Sequence, residues 1–298
     1  MNLAGKTLFI TGASRGIGLA IGLRAARDGA NVAVAAKTID PHPGLEGTIH
    51  TAAAAIERAG GRALALQVDV RCEASVESGL AAAAQAFGGI DILVNNAGAI
   101  ALTNTVMTQM HHYDLLQAVN VRGTFLCTRL AIPYLRTARN AHILNIAPPL
   151  ELDARWFAPH AAFTIAKFGM SLCTLAHSQE FKDLGIAVNS LWPLTTIDSA
   201  PVVGLGDRPG RSRSPRIMAD AAHVILTSQA KRLTGHYLVD EEVLRDVGHL
   251  DFSMYDSPGS GPFAQDLFIP AAVLRRIHGR TDLVPGTSSC LMHEYASD

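Results

Sequence analysis

The sequence predicts an α/β fold: a single doubly wound parallel sheet of the Rossmann type, with helices on both faces. Three observations predict it. Short apolar runs alternate with longer helical patterns along 298 residues, the runs are too apolar to have a solvated face, and the first ends in a glycine-rich turn that opens a helix.

The elements follow in order. Thr7–Ile10 is the first strand, with a helix through Arg27, and Asn31–Ala36 is the second. A Pro/Gly-rich loop, Asp40–Gly47, leads to a helix over about Thr48–Ala59. Ala63–Val68 and Ile90–Asn95 read as strands on either side of a helix over Ala74–Phe87. Two helices, Met107–Ala118 and Val121–Arg136, precede a strand at His142–Ile146. A long helix from Ala161 to about Lys182 leads to strands at Ile186–Leu191 and Tyr237–Val239. Residues 1–245 are expected to form the domain and its pocket, with a lid over about 196–216. Residues 246–298 read as an extension packed on the domain or on a partner subunit, with a docked segment or short helix in FAQDLFIPAAVLRRI.

Composition narrows the function. Hydrophobic residues make up 48% and charged residues 17%, the balance of a well-buried globule. A net charge of −1 gives no reason to expect nucleic acid or an anionic membrane. Cys72, Cys127, Cys173 and Cys290 are scattered, with no C-x-x-C pair, as in a reduced, cytoplasmic protein. The first strand follows Met1 too closely for a signal peptide, and no apolar run has the length of a membrane helix. His111 and His112 are neighbours that point about 100° apart on a helix, and no metal is expected.

The chemistry is carried by Thr11-Gly12-Ala13-Ser14-Arg15-Gly16-Ile17-Gly18, set between a strand and a helix. Glycines there allow a tight turn and close approach to a pyrophosphate, and the helix offers free N–H groups and its positive end. The second strand ends in Ala35-Ala36-Lys37-Thr38, with no acid before Asp40 to hold a ribose 2′-hydroxyl. Lys37 and Arg15 suit a 2′-phosphate instead, so NADP(H) is expected as cofactor.

Together TGASRGIG, Asp69-Val70, Asn95-Asn96-Ala97-Gly98, Asn120 and the run Trp192–Thr196 resemble the short-chain dehydrogenase/reductases over about residues 5–240. The stretches AAKTIDPHPGLEGTIHTAA, ILNIAPPLEL, FTIAKFGMSL and GIAVNSLWPLTTI resemble the hydroxysteroid dehydrogenase-like subfamily, which is NADP-type. A sterol-carrier domain can follow in that subfamily, and none is expected within these 298 residues. The resemblance implies that Gly12, Ser14, Arg15, Gly16, Ile17 and Gly18 hold the pyrophosphate and Lys37 with Arg15 the 2′-phosphate. It implies Asp69 and Val70 beside the adenine, Asn96, Ala97 and Gly98 along the cofactor, and Pro193 and Thr195 near the carboxamide. Leu194 stands where the family usually has Gly.

The resemblance also implies a hydride shuttle between nicotinamide and a carbonyl or alcohol. It uses a Tyr as proton donor, a Lys four residues later, a Ser on the reacting oxygen and an Asn in the preceding helix. Lys167 and Asn120 are present, but Phe163 occupies the Tyr position and Ala147 the Ser position. Neither can give or share a proton. A positioned acid/base is worth about 10²–10⁴ in rate and an oxyanion donor about 10²–10³, so little hydride transfer is expected.

Three explanations fit. Each change deletes one hydroxyl and keeps shape, which is the pattern of a deliberate inactivation of a carbonyl reductase or alcohol dehydrogenase. A natural non-redox catalyst of cyclisation, isomerisation or elimination, and a nucleotide-binding pseudoenzyme, are the alternatives. His160, three residues before Phe163, is a substitute acid/base to weigh against a cap or surface role; Tyr113, Tyr134 and Glu151 are too distant in sequence to place. Arg208, Arg211, Arg213 and Arg216 read as a solvated loop, or as a lid for an anionic group on an otherwise apolar small-molecule substrate. A homo-oligomer, dimer or tetramer, is expected from the resemblance, with helices of about 121–136 and 162–182 as the shared surface.

Overall fold

The computed structural model describes residues 2–41, 46–199, 211–258, 262–277 and 283–284. Strands β1 (Thr7–Thr11), β2 (Asn31–Ala36), β3 (Arg62–Gln67), β4 (Ile92–Asn95), β5 (His142–Asn145), β6 (Ala187–Trp192) and β7 (Tyr237–Val239) form one sheet in the order β3-β2-β1-β4-β5-β6-β7. Every neighbouring pair in it is parallel. Chain order reverses between β1 and β4, which opens a crevice at the carboxyl ends of the strands. Five strands are buried along their whole length, which is why their sequences show no polar alternation.

Helices α1 (Gly16–Ala26) and α2 (Ile49–Arg58) cover one face, with a helix at Arg216–Thr227. On the other face lie α3 (Glu73–Phe87), α4 (Met110–Leu116), α5 (Gly123–Leu135), a short α6 (Ala154–Phe157) and α7 (Ala161–Glu180). The Arg216–Thr227 helix, α8, was not expected: the arginines before it mask its apolar face, formed by Ile217, Met218, Ala221, Ala222 and Ile225. The two helices expected between 107 and 136 are one continuous rod. A π-helical stretch, Gln117–Arg122, joins α4 to α5 and adds the residue that rotates Asn120 inward.

A helix α9 (Asp240–Asp246) follows β7. The described residues after it, as far as Ile277, pack on the same domain. Phe252 and Tyr255 enter the core between α1 and α8. The segment that runs from strand β8 (Phe263–Ala264) through helix α10 (Ala271–Arg276) to Ile277 supplies Phe268, Ile269, Val273 and Ile277 to an aromatic cluster that includes Phe163 and Trp192.

A side-chain ladder crosses the middle of the sheet. Asn95 Nδ2 donates to Thr128 Oγ1 at 3.2 Å and to Asn145 Oδ1 at 2.8 Å, and Asn145 Nδ2 donates to Thr174 Oγ1 at 2.8 Å. Thr174 and Ser190 share a hydrogen bond of 2.7 Å. All five side chains are buried, so the ladder fixes α5 and α7 against β4, β5 and β6.

At the opposite edge, Asp28 accepts from Leu3 N at 2.8 Å, His223 Nε2 at 2.7 Å and Arg24 Nη1 at 3.1 Å. Arg24 Nε lies 3.1 Å from Asp220, which accepts from Tyr255 Oη at 2.8 Å. This network binds α1, α8 and the chain after α9. Burial alone would raise the Asp28 carboxyl, but the hydrogen bonds outweigh it and lower it to about 2.

Asp28→Asn is therefore expected to cost about 2 kcal/mol at pH 7. The native contribution is complete above about pH 4 and is lost as pH falls toward 2, because the folded carboxyl is the stronger acid. Urea melts at pH 7, 4 and 2.5 check this: the variant should converge on the parent chain at the lowest pH.

Candidate active site

The turn after β1 and the turn after β4 are pressed together. Gly12 has φ +66° and Gly16 φ +58°, conformations in which a side chain would be strained. A Cβ on Gly12 would stand 2.9 Å from Ala97 Cα, and one on Gly18 2.5 Å from Asn96 Nδ2. Asn96 Nδ2 donates to Thr11 O at 2.9 Å and Gly12 O at 3.1 Å, while Thr11 Oγ1 accepts from the N–H groups of Asn96 and Ala97. The glycines thus serve backbone contact with the second turn as well as leaving room above it.

The crevice over these turns measures about 460 Å³. Its walls include Gly12, Ser14, Arg15, Gly16, Ile17, Lys37, Asp69, Val70, Asn96, Ala97, Gly98, Phe163, Lys167 and Pro193, all singled out from sequence. Gly18, Asn120, Ala147 and Thr195 do not line it. Sequence reasoning missed Thr38, Ile100, Trp192, Ile197, Ser199, Asp266 and Leu267. For Asp266 the available signal was an acid inside the apolar run Phe263–Pro270.

The cations at the β2 end are already engaged. Arg15 donates through Nε to Glu46 O at 2.8 Å and through Nη2 to Gly47 O at 2.6 Å. Gly47, at φ +95°, lets this loop touch the glycine turn, since a Cβ there would lie 2.5 Å from Ser14 O. Lys37 Nζ stands 3.9 Å from Asp69 and is largely exposed. Asp69 is gripped by both Arg71 Nε and Nη2, and those bonds bring its carboxyl down to about 2.

At the other end Asn120 clamps Ala99 by two hydrogen bonds, Ala99 N to Oδ1 at 2.8 Å and Nδ2 to Ala99 O at 3.0 Å. Lys167 Nζ donates to Ile146 O at 3.1 Å and lies 5.2 Å from the centre of the Trp192 ring. The two side chains converge on Gly98, where an added Cβ would meet Asn120 Oδ1 at 3.4 Å and Lys167 Nζ at 3.6 Å. Burial pulls the Lys167 amine down to about 8, partly countered by the charge of Asp266. Ala147 is fully buried next to Ile146, and Phe163 is buried with its ring 6.1 Å from that of Phe268.

Several sequence expectations need correction. His160 is neither a surface group nor a side-chain cap; it is buried at the start of α7 and does not line the crevice. Tyr113, Tyr134 and Glu151, which the sequence left unplaced, do not line it; Glu151 accepts from Trp156 Nε1. Arg213 is not solvated, and Arg211 is only partly exposed. Arg213 is buried between the rings of Phe252 and Phe263, 3.2 Å from the buried Glu241, and Arg211 stacks on Phe263 and pairs with Asp256. Arg216 is exposed at the start of α8, and Arg208 lies outside the described residues.

These features fit a nicotinamide nucleotide. The glycine cradle opens onto the N-terminus of α1, and Thr195 Oγ1 is buried with no hydrogen-bond partner among the described residues. The architecture and site define a dinucleotide-binding α/β protein. The chain belongs to the short chain dehydrogenase family, whose sequence pattern matches residues 6–200. Within it the chain groups with the hydroxysteroid dehydrogenase-like proteins. It is 54% identical to hydroxysteroid dehydrogenase-like protein 2 of Xenopus laevis over 90% of its own length and 64% of the relative, so it spans under two-thirds of that protein. A short chain dehydrogenase from Mycobacterium thermoresistibile shares 45% identity over 90% of this chain and 96% of its own, with a TM-score of 0.84. A metagenomic short-chain oxidoreductase solved with NADP shares 25% identity over 80% of this chain and 97% of its own, with a TM-score of 0.66.

Lys167→Met is expected to stabilise the chain by about 1–2 kcal/mol at pH 7, because it removes a buried ammonium while leaving Ile146 O without its partner. The folded amine loses its proton near pH 8 and the unfolded one near 10.5, so the burden of the ammonium fades as pH rises through that window. Thermal melts at pH 7 and pH 10.5 check it: the gain should be largest at pH 7.

Proposed function

We propose that this chain binds NADP(H) and presents it to a small, largely apolar carbonyl or alcohol in a pocket that is impaired for hydride transfer. The observation that carries the reading is the pairing of a glycine cradle and two cations at one end of the crevice with Phe163 and Lys167 at the other, with Ala147 buried behind Ile146. The nucleotide, when bound, supplies or accepts the hydride.

The chain's own residues have separable tasks in this reading. The N–H groups at the start of α1 and the turn Gly12–Gly18 hold the pyrophosphate, and Asn96, Ala97 and Gly98 border the path to the nicotinamide. Arg15 and Lys37 neutralise the 2′-phosphate; Arg15 is already oriented by Glu46 O and Gly47 O. Asp69 and Val70 flank the adenine. Lys167 binds the nicotinamide ribose, Asn120 fixes Ala99 and Gly98 beside it, and Pro193 with Thr195 receives the carboxamide. Trp192 and Phe163 exclude water. With no hydroxyl at positions 147 and 163, the reacting oxygen lacks its proton donor and its hydrogen-bond donor, which supports an inactivated reductase over an efficient one.

The solvent side of α5 and α7 suits a second copy of the chain. Phe125, Ile165, Leu172 and Leu175 are each between 45% and 54% exposed there, and clusters of large apolar side chains mark interfaces. We propose this face as the homo-oligomer contact. Leu172→Glu should shift the light-scattering mass toward the monomer at micromolar concentration, and an unchanged mass would place the contact elsewhere.

Two measurements test the main reading. Arg15→Ala and Lys37→Ala should each weaken NADPH binding about tenfold or more by calorimetry and weaken NADH binding much less, since a charge-assisted bond is worth about 1.5–3 kcal/mol. The double variant Ala147→Ser with Phe163→Tyr should raise ketone-dependent NADPH oxidation by about 10²–10⁴. Brisk oxidation by the parent chain would refute the impairment. No rise in the double variant would favour a non-redox or purely nucleotide-binding role.

A further inference from the structure

The chain leaves the sheet after Trp192, where the pairing of β6 with β7 ends at Trp192 opposite Val239. The N–H of Leu194 therefore has no strand to receive it and must find another acceptor. It donates to Asp240 Oδ1 at 2.8 Å; Asp240 follows Val239 and opens α9. The same oxygen accepts the N–H of Glu241 at 2.7 Å. Leu194 O in turn accepts from Asp266 N at 3.0 Å, and the Leu194 side chain is buried in the cluster of Phe163 and Trp192. Leu194 is thus held at its N–H, its carbonyl and its side chain.

Its neighbours flank the crevice. Pro193 lines it and has no N–H by which it could be fixed directly. Thr195 is buried, bridges to Gln265, and keeps its Oγ1 without a hydrogen-bond partner among the described residues. Asp240 is a costly way to hold the peptide between them. It is fully buried, and its Oδ2 has no hydrogen-bond partner among the described residues. Burial pushes its carboxyl up to about 7, against the pull of the Leu194 and Glu241 N–H groups.

We propose that Asp240 is a positioning residue for the nicotinamide end of the crevice: by holding Leu194 N it sets Pro193 against the cofactor and leaves the Thr195 hydroxyl turned to a carboxamide. The proposal rests on the reading of this crevice as an NADP(H) site. Without the carboxyl, a buried N–H is left unsatisfied, and the peptide must move to relieve it. Pro193 and Thr195 move with it, because Leu194 joins them. The turn after β1, Arg15 and Lys37 belong to other strands and keep their places, so the damage falls on one half of the nucleotide.

The test titrates the full chain by calorimetry with NADPH and with 2′-phospho-ADP-ribose, which carries the pyrophosphate and the 2′-phosphate but no nicotinamide. Asp240→Ala should weaken NADPH binding about tenfold and that of 2′-phospho-ADP-ribose by no more than about twofold. Asp240→Asn, which keeps an oxygen for Leu194 N, should return NADPH affinity to within about threefold of the parent chain. Thr195→Val alone should reproduce the selective loss, and Asp240→Ala added to it should cost less than it does by itself. Equal losses for the two nucleotides in Asp240→Ala would reduce the residue to a structural one and overturn the proposal. Unchanged NADPH affinity in Asp240→Ala or in Thr195→Val would overturn it as well, and the Thr195→Val arm decides if Asp240→Ala does not fold. A parent chain that binds neither nucleotide would remove the cofactor reading and the proposal together, whereas failure confined to the variants leaves that reading standing.

Discussion

Contact between the turns that follow β1 and β4 is the constraint on which the site depends. Gly12 and Gly18 approach Ala97 and Asn96 so closely that a single methyl at either place would collide. This contact sits where the order of the parallel sheet reverses, and it sets both the floor of the crevice and the direction of α1. The strand pairings around it are fully buried, so a register slip would expose the apolar side chains of β1 and unpair its backbone together. The location of the crevice follows from chain topology before any particular side chain is considered.

A second layer of organisation is polar. The ladder from Asn95 to Ser190 ties three strands to α5 and α7, and the Asn120 clamp on Ala99 ties the π-helical stretch to the turn after β4. Lys167 reaches its place from α7 and is met there by a backbone carbonyl rather than by a phenol. A buried ammonium held by one carbonyl and an indole face is poorly solvated, which accounts for the fall in its affinity for protons. The phenyl of Phe163 meanwhile belongs to the same aromatic cluster as Phe268, so the side chain that lacks the hydroxyl is also a structural member of the pocket wall.

The parallel sheet was legible in the sequence because strands buried on both faces cannot hide their composition, and Asn31–Ala36 and Tyr237–Val239 fall where the apolar runs place them. The glycine turn was legible because backbone approach requires glycine. Helix α8 was not, because the arginines ahead of it gave the region the look of a solvated loop. Nor was the π-helical join at Asn120, which one extra residue per turn produces without a compositional mark. Arg213 misled for a related reason: composition reports a charge, but only the fold reveals that Glu241 and two rings enclose it. Asp266 lies about a hundred residues from Phe163 and Lys167 in the chain; an acid inside an apolar run marks it as unusual, but not as a neighbour of those two.

The backbone bridges between residues 194–196 and 264–266 have a consequence for how such proteins diversify. The half of the cleft that meets the nucleotide is written into the central strands, where a change disturbs the whole core. The half at the Phe163 end is borrowed from a late stretch of chain, attached by main-chain bonds between residues 194–196 and 264–266 and anchored by the buried Phe268. A change at the crevice-facing Leu267 would redecorate the cleft, whereas one at Phe268 would reach the cluster that supports it.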